Sequence, residues 1–438
     1  MAEIKPFRGM YYNRDKVDIK DVVTQPYDKI KPTLQDEYYA RSPYNFVQLI
    51  LNKIASSDTE DNNRYTRARE LFKKWQDEEV LKQDDAPTIY IYEQTYTTPL
   101  GEKKMRRGFI SLLRLAELGK GGVYPHEQTL SKPKADRFEL IKKCNTNFEQ
   151  IFMLYNDKDV AIKNVLDIAP TTIMFDFCDE YGVGHVLKRV DDSASANAVC
   201  DGMSDKKIFI ADGHHRYEVA LNYRDYLIKE QGIGSDHDAC FRVAYFVSME
   251  SDGLTVLPTH RMVKNMDGFT IDNFIATSGE YFEIVKIDDA GSEDASLKNM
   301  LDAMSAGQRE GKNCFGVAGK GVKYLLTLKE EIDVKQLIGK DMSDVVSGLD
   351  VTILHRFIIE KILGISQEKV AGEDNLSYVR DPIDGVQGVN EGLYQVTFFL
   401  NPTKVDEVRA VAQSGEKMPQ KSTDFYPKVS SGLVMYTF

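Results

Sequence analysis

The residues best suited to chemistry lie in one short segment, Lys206–Glu218, with the sequence KKIFIADGHHRYE. An apolar run at 208–211 predicts a buried strand, and Asp212-Gly213 interrupts it before apolar residues recur at helical spacing. Three side chains that can carry positive charge follow: His214, His215 and Arg216. The first N–H groups of a helix attract anions, and Gly213 lets the backbone approach a ligand. The segment therefore predicts a phosphate-binding loop.

A purely structural role is the alternative for this segment. Asp212 could cap the helix while the imidazoles lie on the surface. Because adjacent side chains point apart, we expect only one of the two histidines to share a face with Arg216.

A second polar loop, HEQTLSKPKADR at His126–Arg137, combines acidic and basic groups. Glu127 could take a proton or help to hold a metal ion. Three cations within six residues would attract phosphate: Lys132, Lys134 and Arg137. A solvated charged loop is the alternative reading.

Two further polar groups lie in predicted loops between apolar elements. His260 and Arg261 come after Pro258-Thr259, where an ordinary ion-pairing role is the alternative. Near the C-terminus, the segment MPQKST at Met418–Thr423 precedes a further lysine, and its alternative is a proline-stiffened loop. Lysines there flank hydroxyls that can bind phosphoryl oxygens: Lys421, Ser422, Thr423 and Lys428.

One acidic residue near the N-terminus could act as a base. Asp28 follows a predicted short strand at Asp21–Val23. It could accept a proton from a substrate, or it could cap the next helix.

The elements that must position these loops alternate between helix and strand. Helical periodicity covers 33–82 and places Trp75 in the core, whereas 88–114 reads as a β-hairpin and 151–155 as a buried strand. A helix is predicted over 350–363. The pattern indicates a mixed α/β (α+β) fold with mixed β-sheets and surrounding helices. We predict two domains, 1–265 with the PHE and DGHHR motifs and 266–438 with the MPQKST motif.

Length and charge limit the function classes. The chain has 438 residues and a formal net charge of −12, which argues against general nucleic-acid binding and against binding to anionic membranes. Five widely spaced cysteines without a CxxC pair predict free thiols. No signal peptide or membrane-spanning run is evident, so we expect a cytoplasmic protein. The sequence is compatible with both a monomer and a homo-oligomer.

Several common catalytic motifs are missing from the sequence. It contains no GxxxxGK[ST], strand-linked GxGxxG, GxSxG or HExxH motif. The sequence therefore gives no support for a P-loop NTPase, a dinucleotide-binding enzyme, an α/β-hydrolase or a zincin metalloprotease. Among seven histidines only 214 and 215 are close in sequence, so no tightly bound metal is predicted. Mg²⁺ bound with a nucleotide would need only one or two carboxylates.

The order of these motifs resembles the bacterial and archaeal domain-of-unknown-function 1015 family (DUF1015). The matching segments span nearly the whole chain: PFRGMYYN, QPYDKI, YEQTY, PHEQTLSKPKADR, NFEQIFMLY, IADGHHRYEVAL, LPTHR, FFLNPT and MPQKSTDFYPKVSSGLV. This family has no settled activity.

A local resemblance adds a mechanism. The strand-DGHHR-helix unit is similar to the phosphate box of the ParB and sulfiredoxin superfamily, especially its free serine kinase branch, where the box holds nucleotide phosphate. The resemblance implies that residues 212–216 hold phosphates and that Asp28 or Glu127 accepts a substrate proton.

Three functions are compatible with these features. The first is a nucleotide-dependent phosphotransferase, using ATP or ADP with Mg²⁺, that acts on a small hydroxylated metabolite such as serine. The second is a nucleotide-sensing or regulatory binding protein without catalysis. The third is a metal-assisted phosphatase that uses four residues: His126, Glu127, His214 and His260.

Overall fold

The structure is a computed structural model that describes residues 2–99, 101–127, 132–339, 342–372 and 374–438, without the side chains of 132, 133 and 371. The chain forms two compact units. The first comprises Met1–Pro125, Thr129–Thr255 and Pro427–Phe438, and the second comprises His126–Gln128 and Val256–Tyr426. The predicted domain division at residue 265 stays a prediction.

Strands occur throughout the described residues and range from two to twelve residues in length. They are β1 (Ile4–Lys5), β2 (Met10–Tyr12), β3 (Leu81–Gln83), β4 (Tyr90–Thr97), β5 (Lys103–Arg114), β6 (Val123–Tyr124), β7 (Thr146–Asn147), β8 (Ile151–Tyr155), β9 (Thr171–Cys178), β10 (Gly184–Val190), β11 (Ile208–Asp212), β12 (Phe241–Ser248), β13 (Thr255–Leu257), β14 (His260–Val263), β15 (Phe282–Lys286), β16 (Cys314–Gly319), β17 (Val322–Leu328), β18 (Leu376–Val379), β19 (Val396–Phe399), β20 (Asp424–Tyr426) and β21 (Tyr436–Thr437).

Helices alternate with these strands. They are α1 (Ile19–Val22), α2 (Pro32–Arg41), α3 (Val47–Ile50), α4 (Arg64–Asp77), α5 (Lys132–Cys144), α6 (Ala161–Ile168), α7 (Ser193–Gly202), α8 (His214–Gln231), α9 (Ile271–Ser278), α10 (Glu293–Arg309), α11 (Val334–Ile338), α12 (Asp344–Ser347), α13 (Asp350–Ile353), α14 (Gln367–Ala371), α15 (Pro382–Asn390) and α16 (Val405–Ser414). Short 3₁₀ turns occupy Tyr27–Lys29 and Asp238–Cys240, and a π-helix occupies Leu354–Ile362.

A nine-stranded mixed sheet organises the first unit. Its order is β6-β11-β8-β12-β5-β4-β10-β9, with β1 paired to β5. The pairs β6–β11 and β8–β12 are parallel and the other neighbours are antiparallel. The predicted hairpin over 88–114 forms β4 and β5, and Trp75 is buried as predicted. The mixed sheets and surrounding helices confirm the predicted fold class.

A six-stranded antiparallel sheet organises the second unit, in the order β15-β17-β16-β19-β14-β18. Its core packs strand residues such as Phe315 and Phe398 against apolar residues of α13 and the π-helix, including Leu354 and Ile358.

One local prediction was wrong, and a second was right about the helix but not about its type. Residues 21–23 do not form a strand, because Asp18 accepts a hydrogen bond from the Lys20 N–H and caps helix α1. The helix predicted over 350–363 is α-helical only to Ile353 and continues as the π-helix, in which His355 accepts a hydrogen bond from buried Arg261.

Asp350, the first residue of α13, should make the stability of the second unit depend on pH. Burial raises its pKa to about 7, although Asn313 donates a hydrogen bond of 2.7 Å to its carboxyl group. The folded state therefore binds one more proton than the unfolded chain between about pH 4 and 7, and the free energy of unfolding should fall as pH rises through this interval. The free energy of unfolding, measured by urea titration at a series of pH values, should fall by at most about 4 kcal/mol in total over this interval.

The variant Asp350→Asn should remove most of this pH dependence of the free energy of unfolding. Asp272→Asn, at an exposed position in the first turn of α9, should retain it. If the stability of Asp350→Asn depends on pH as that of the native chain does, Asp350 is not the cause of the effect.

Candidate functional site

The DGHHR loop, defined here as Asp212–Arg216, joins strand β11 to helix α8. Gly213 occupies the N-cap with φ +97°, a backbone conformation that residues with a Cβ rarely adopt. A Cβ at this position would lie 3.0 Å from Nη2 and 3.1 Å from Nε of Arg216. Glycine thus allows the Arg216 guanidinium to fold back over the start of α8.

Arg216 is buried, with 7% of its surface exposed. Its Nη1 donates to the Gln150 carbonyl at 2.6 Å, and its Nη2 donates to Asp212 Oδ2 at 2.8 Å. A guanidinium has five N–H donors, and these two bonds leave donors over for a ligand. Burial would lower the pKa of Arg216, but Glu149 and Asp212 outweigh it and raise this pKa, so the group stays charged.

Asp212 binds cations and does not cap α8, in contrast to the structural alternative for this segment. Lys428 Nζ lies 2.8 Å from its Oδ1, and Arg216 binds its other oxygen. Burial alone would raise the pKa of Asp212, but Lys428 and Arg216 hold it well below its ordinary value.

Lys428 is held in place through the backbone around it. Gln94 Nε2 donates to the Lys428 carbonyl at 2.9 Å, and Arg106 Nη2 donates to the Pro427 carbonyl at 2.5 Å. Arg106 is fully buried and lies 4.6 Å from the centre of the Phe152 ring. The interior of the first unit therefore fixes the lysine that pairs with Asp212.

Three buried guanidinium groups interact electrostatically with the buried carboxylate of Glu149. Arg216 Nη1 is 3.9 Å from Glu149 Oε1, and Arg242 Nη2 donates to the Glu149 carbonyl at 2.8 Å. Arg137 stacks on the Tyr27 ring at 4.3 Å. Burial, followed by repulsion from Arg216, lowers the pKa of Arg242 to about 9.

Positive charge exceeds negative charge in this cluster. Its cations are Lys29, Arg64, Arg137, Arg216, Arg242 and Lys428, and its carboxylates are Asp28, Asp136, Glu149 and Asp212. Asp136 also binds Arg64, so it is not available to Arg137 alone. Arg137 Nη1 and Arg242 Nε are buried without a hydrogen-bond partner among the described residues. Buried donors of this kind are costly unless a ligand or water meets them.

Other predicted site residues of the first unit lie around this cluster. Asp28 is exposed in the 3₁₀ turn Tyr27–Lys29 and interacts electrostatically with Arg216, and it does not cap α2. Lys134 pairs with Glu218 of α8. His214 is buried and His215 is half-buried. The side chain of Lys132 lies outside the described residues.

In the second unit, the PHE and MPQKST motifs contact each other directly. His126 Nε2 and Thr423 Oγ1 are 2.9 Å apart, and Glu127 accepts a hydrogen bond from the Lys421 N–H. Lys421 itself has φ +56° and an exposed side chain. The Ser422 hydroxyl donates to the Pro419 carbonyl. The hydroxyls predicted to bind phosphate thus take part in internal hydrogen bonds.

His260 and Arg261 point in different directions from β14. The His260 ring packs 5.0 Å from that of Phe399, and its Nδ1 accepts a hydrogen bond from the Leu400 N–H. Burial lowers the pKa of His260 to about 3, so the ring is neutral. This environment favours a structural role for His260, whose predicted ligand-binding role stays a prediction.

The residues that sequence reasoning missed are Glu149, Gln150 and Arg242. Each was visible as a polar residue beside or inside an apolar strand segment, 151–155 or 241–248. A buried charge in such a strand must have partners, and this is the signal that could have identified them.

No group of three or more His, Cys, Asp or Glu side chains could hold a metal ion within the part of the chain that the structure describes. No helix in that part is long and apolar enough to cross a bilayer.

Comparison with known proteins gives one extensive match. A family model described as "Protein of unknown function (DUF1015)" matches residues 4–352. No curated protein matches.

Solved structures show only distant likeness. A conserved hypothetical protein from Pyrococcus furiosus is 14% identical, with a TM-score of 0.33 and coverage of 72% of this chain and 91% of that one. Free serine kinase in complex with AMP is 13% identical, with a TM-score of 0.33 and coverage of 69% and 83%. SbnI from Staphylococcus aureus, truncated at its C-terminus, is 8% identical, with a TM-score of 0.33 and coverage of 72% and 83%. At these TM-scores the likeness carries no conclusion about this chain.

Proposed function

The chain belongs to the DUF1015 family of proteins of unknown function, and from the charge around its DGHHR loop we propose that it binds nucleotide phosphates there and transfers a phosphoryl group to a small hydroxylated metabolite. The observation that carries this proposal is the buried cationic surplus around Glu149, with guanidinium donors that no described residue satisfies. A phosphate group supplies the negative charge and the acceptor oxygens that such a cluster lacks.

Positioning and charge neutralisation provide most of the catalysis in phosphoryl transfer. Arg216 would bind phosphate oxygens through its remaining N–H groups, beside the positive end of the α8 dipole. Arg137 and Arg242, which are buried in the same cluster, would add positive electrostatic potential at the phosphate. Asp28 would accept the proton of the substrate hydroxyl.

Magnesium commonly accompanies a nucleotide and is held by phosphates with one or two carboxylates. Asp28 fits this requirement, because it is an exposed carboxylate close to Arg216 with no ion pair of its own among the described residues. A bound Mg²⁺ would supply charge neutralisation on the phosphates.

A direct assay separates catalysis from simple binding. The purified chain would be incubated with ATP, ADP or CTP, Mg²⁺ and a panel of hydroxylated acceptors that begins with serine, and products would be followed by ³¹P NMR. We expect a new phosphomonoester signal with one nucleotide and one acceptor. Thermal stabilisation by a nucleotide without any product would favour the nucleotide-sensing alternative. If neither a phosphorylated product nor thermal stabilisation by a nucleotide is observed, the proposal is overturned.

A further inference from the structure

A cavity of about 340 Å³ in the second unit lies beside the π-helix Leu354–Ile362. Small-molecule sites usually begin at about 300 Å³. The π-helix presents three polar side chains to it: His355, Arg356 and Glu360. π-helical turns are rare and are often found at functional sites. The remaining wall is mixed: Met342, Val346 and Ile365 are among its apolar residues, and Glu368 and Lys417 are charged.

Two residues of this wall can each offer a hydrogen-bond donor. Thr352 is 1% exposed, and its hydroxyl has no hydrogen-bond partner among the described residues. His355 follows three positions later, so both side chains can share a helix face. His355 Nε2 accepts a hydrogen bond of 3.1 Å from Arg261 Nε, which places the ring proton on Nδ1. Burial, followed by repulsion from Arg261, holds the pKa of His355 well below its ordinary value, so the ring is neutral.

A buried positive charge lies directly behind these donors. Arg261 is 1% exposed and contacts three residues of the cavity wall: His355, Gln420 and Tyr378. Its hydrogen bonds go to an imidazole and to backbone carbonyls, and none of the described carboxylates lies within salt-bridge distance of it. Burial lowers the pKa of Arg261 to about 10, so the group remains charged at neutral pH.

We propose that this cavity binds a small carboxylic acid with an apolar body, with its carboxylate against Thr352 and His355 and its apolar part against the aliphatic wall. The hydroxyl and the imidazole N–H supply one donor for each carboxylate oxygen, and Arg261 supplies the positive field.

The test uses the full-length chain and measures binding by isothermal titration calorimetry and by thermal shift. The probes are phenylacetate and isovalerate, with phenylacetamide as the uncharged match. We expect both carboxylates to bind and the amide to bind at least about tenfold more weakly, since it lacks the charge that Arg261 attracts. No binding by either carboxylate at millimolar concentration, or equal binding of the amide, would overturn the proposal.

Thr352→Val keeps the shape of the side chain and removes the hydroxyl. It should leave the melting temperature of the free protein unchanged or raised, because the lost group had no partner, and should weaken phenylacetate binding about tenfold. Thr352→Ser should restore binding. Ser278→Ala removes another buried, unpartnered hydroxyl of this unit, outside the cavity lining, and should not affect binding. Binding by Thr352→Val as tight as by the native chain would refute the site.

The carboxylate site is independent of the proposed phosphotransferase. Arg216→Ala should therefore bind phenylacetate as the native chain does, and a failure of one proposal leaves the other testable.

Discussion

Replacing Arg216 by alanine should reduce nucleotide affinity at least about a hundredfold, because a guanidinium that contacts phosphate directly contributes several kcal/mol. The variant also removes the group that bridges Asp212 and the Gln150 carbonyl. Phosphoryl transfer should fall below detection. The measurement is calorimetric titration with ATP and Mg²⁺, together with the ³¹P NMR assay.

Two controls make this result interpretable. Lys229→Ala lies on the same helix at a side chain that is 83% exposed, and it should bind nucleotide normally. Arg216→Lys keeps the charge but not the planar fork, and it should recover little of the lost affinity. If Arg216→Ala melts like the native chain and still binds ATP with native affinity, the DGHHR loop is not the nucleotide site.

Replacing Arg106 by methionine should lower the free energy of unfolding by about 3–5 kcal/mol, the usual range for breaking a buried ionic or hydrogen-bonded network. Arg106 is fully buried, donates to Gln94 Oε1 and to the Pro427 carbonyl, and lies over the Phe152 ring. Methionine fills much of the volume but leaves those acceptors unsatisfied. Urea unfolding measures the loss.

Arg114→Met is the matched control, since it lies on the same strand β5. Arg114 is 30% exposed and pairs with Glu3 at the surface, so its loss should cost less than about 1 kcal/mol. A comparable cost for both variants would mean that the buried network around Arg106 carries no special stability. Arg106→Met should also weaken nucleotide binding, because the backbone that fixes Lys428 loses its anchor.

Local pattern was sufficient to predict the strand-turn-helix unit at 208–231. A buried apolar run, a glycine at a turn and helical spacing after it lie within one continuous segment. The hairpin of β4 and β5 and the cap at Gly415, where φ is +78°, were predictable for the same reason.

Partners that are distant in the sequence were not predictable. Nothing in the sequence near Asp212 indicates that its counter-ion is Lys428, more than two hundred residues later. Glu149 and Arg242 lie at or in strands that otherwise read as core, so their charge was overlooked. The transition from α13 to the π-helix was also not predictable, because the apolar pattern of the sequence does not distinguish α-helical turns from π-helical turns.

The twelve residues from Pro427 to Phe438 complete the first unit although all of the contiguous part of the second unit precedes them in the chain. They contribute the pairing of β21 with β7 and the carbonyl of Val434 that accepts a hydrogen bond from Gln150. During synthesis, the first unit therefore remains incomplete until these residues emerge, whereas residues 256–426 are synthesised earlier. Such long-range closure slows folding, and we expect the first unit to be the last part of the nascent chain to become protease-resistant.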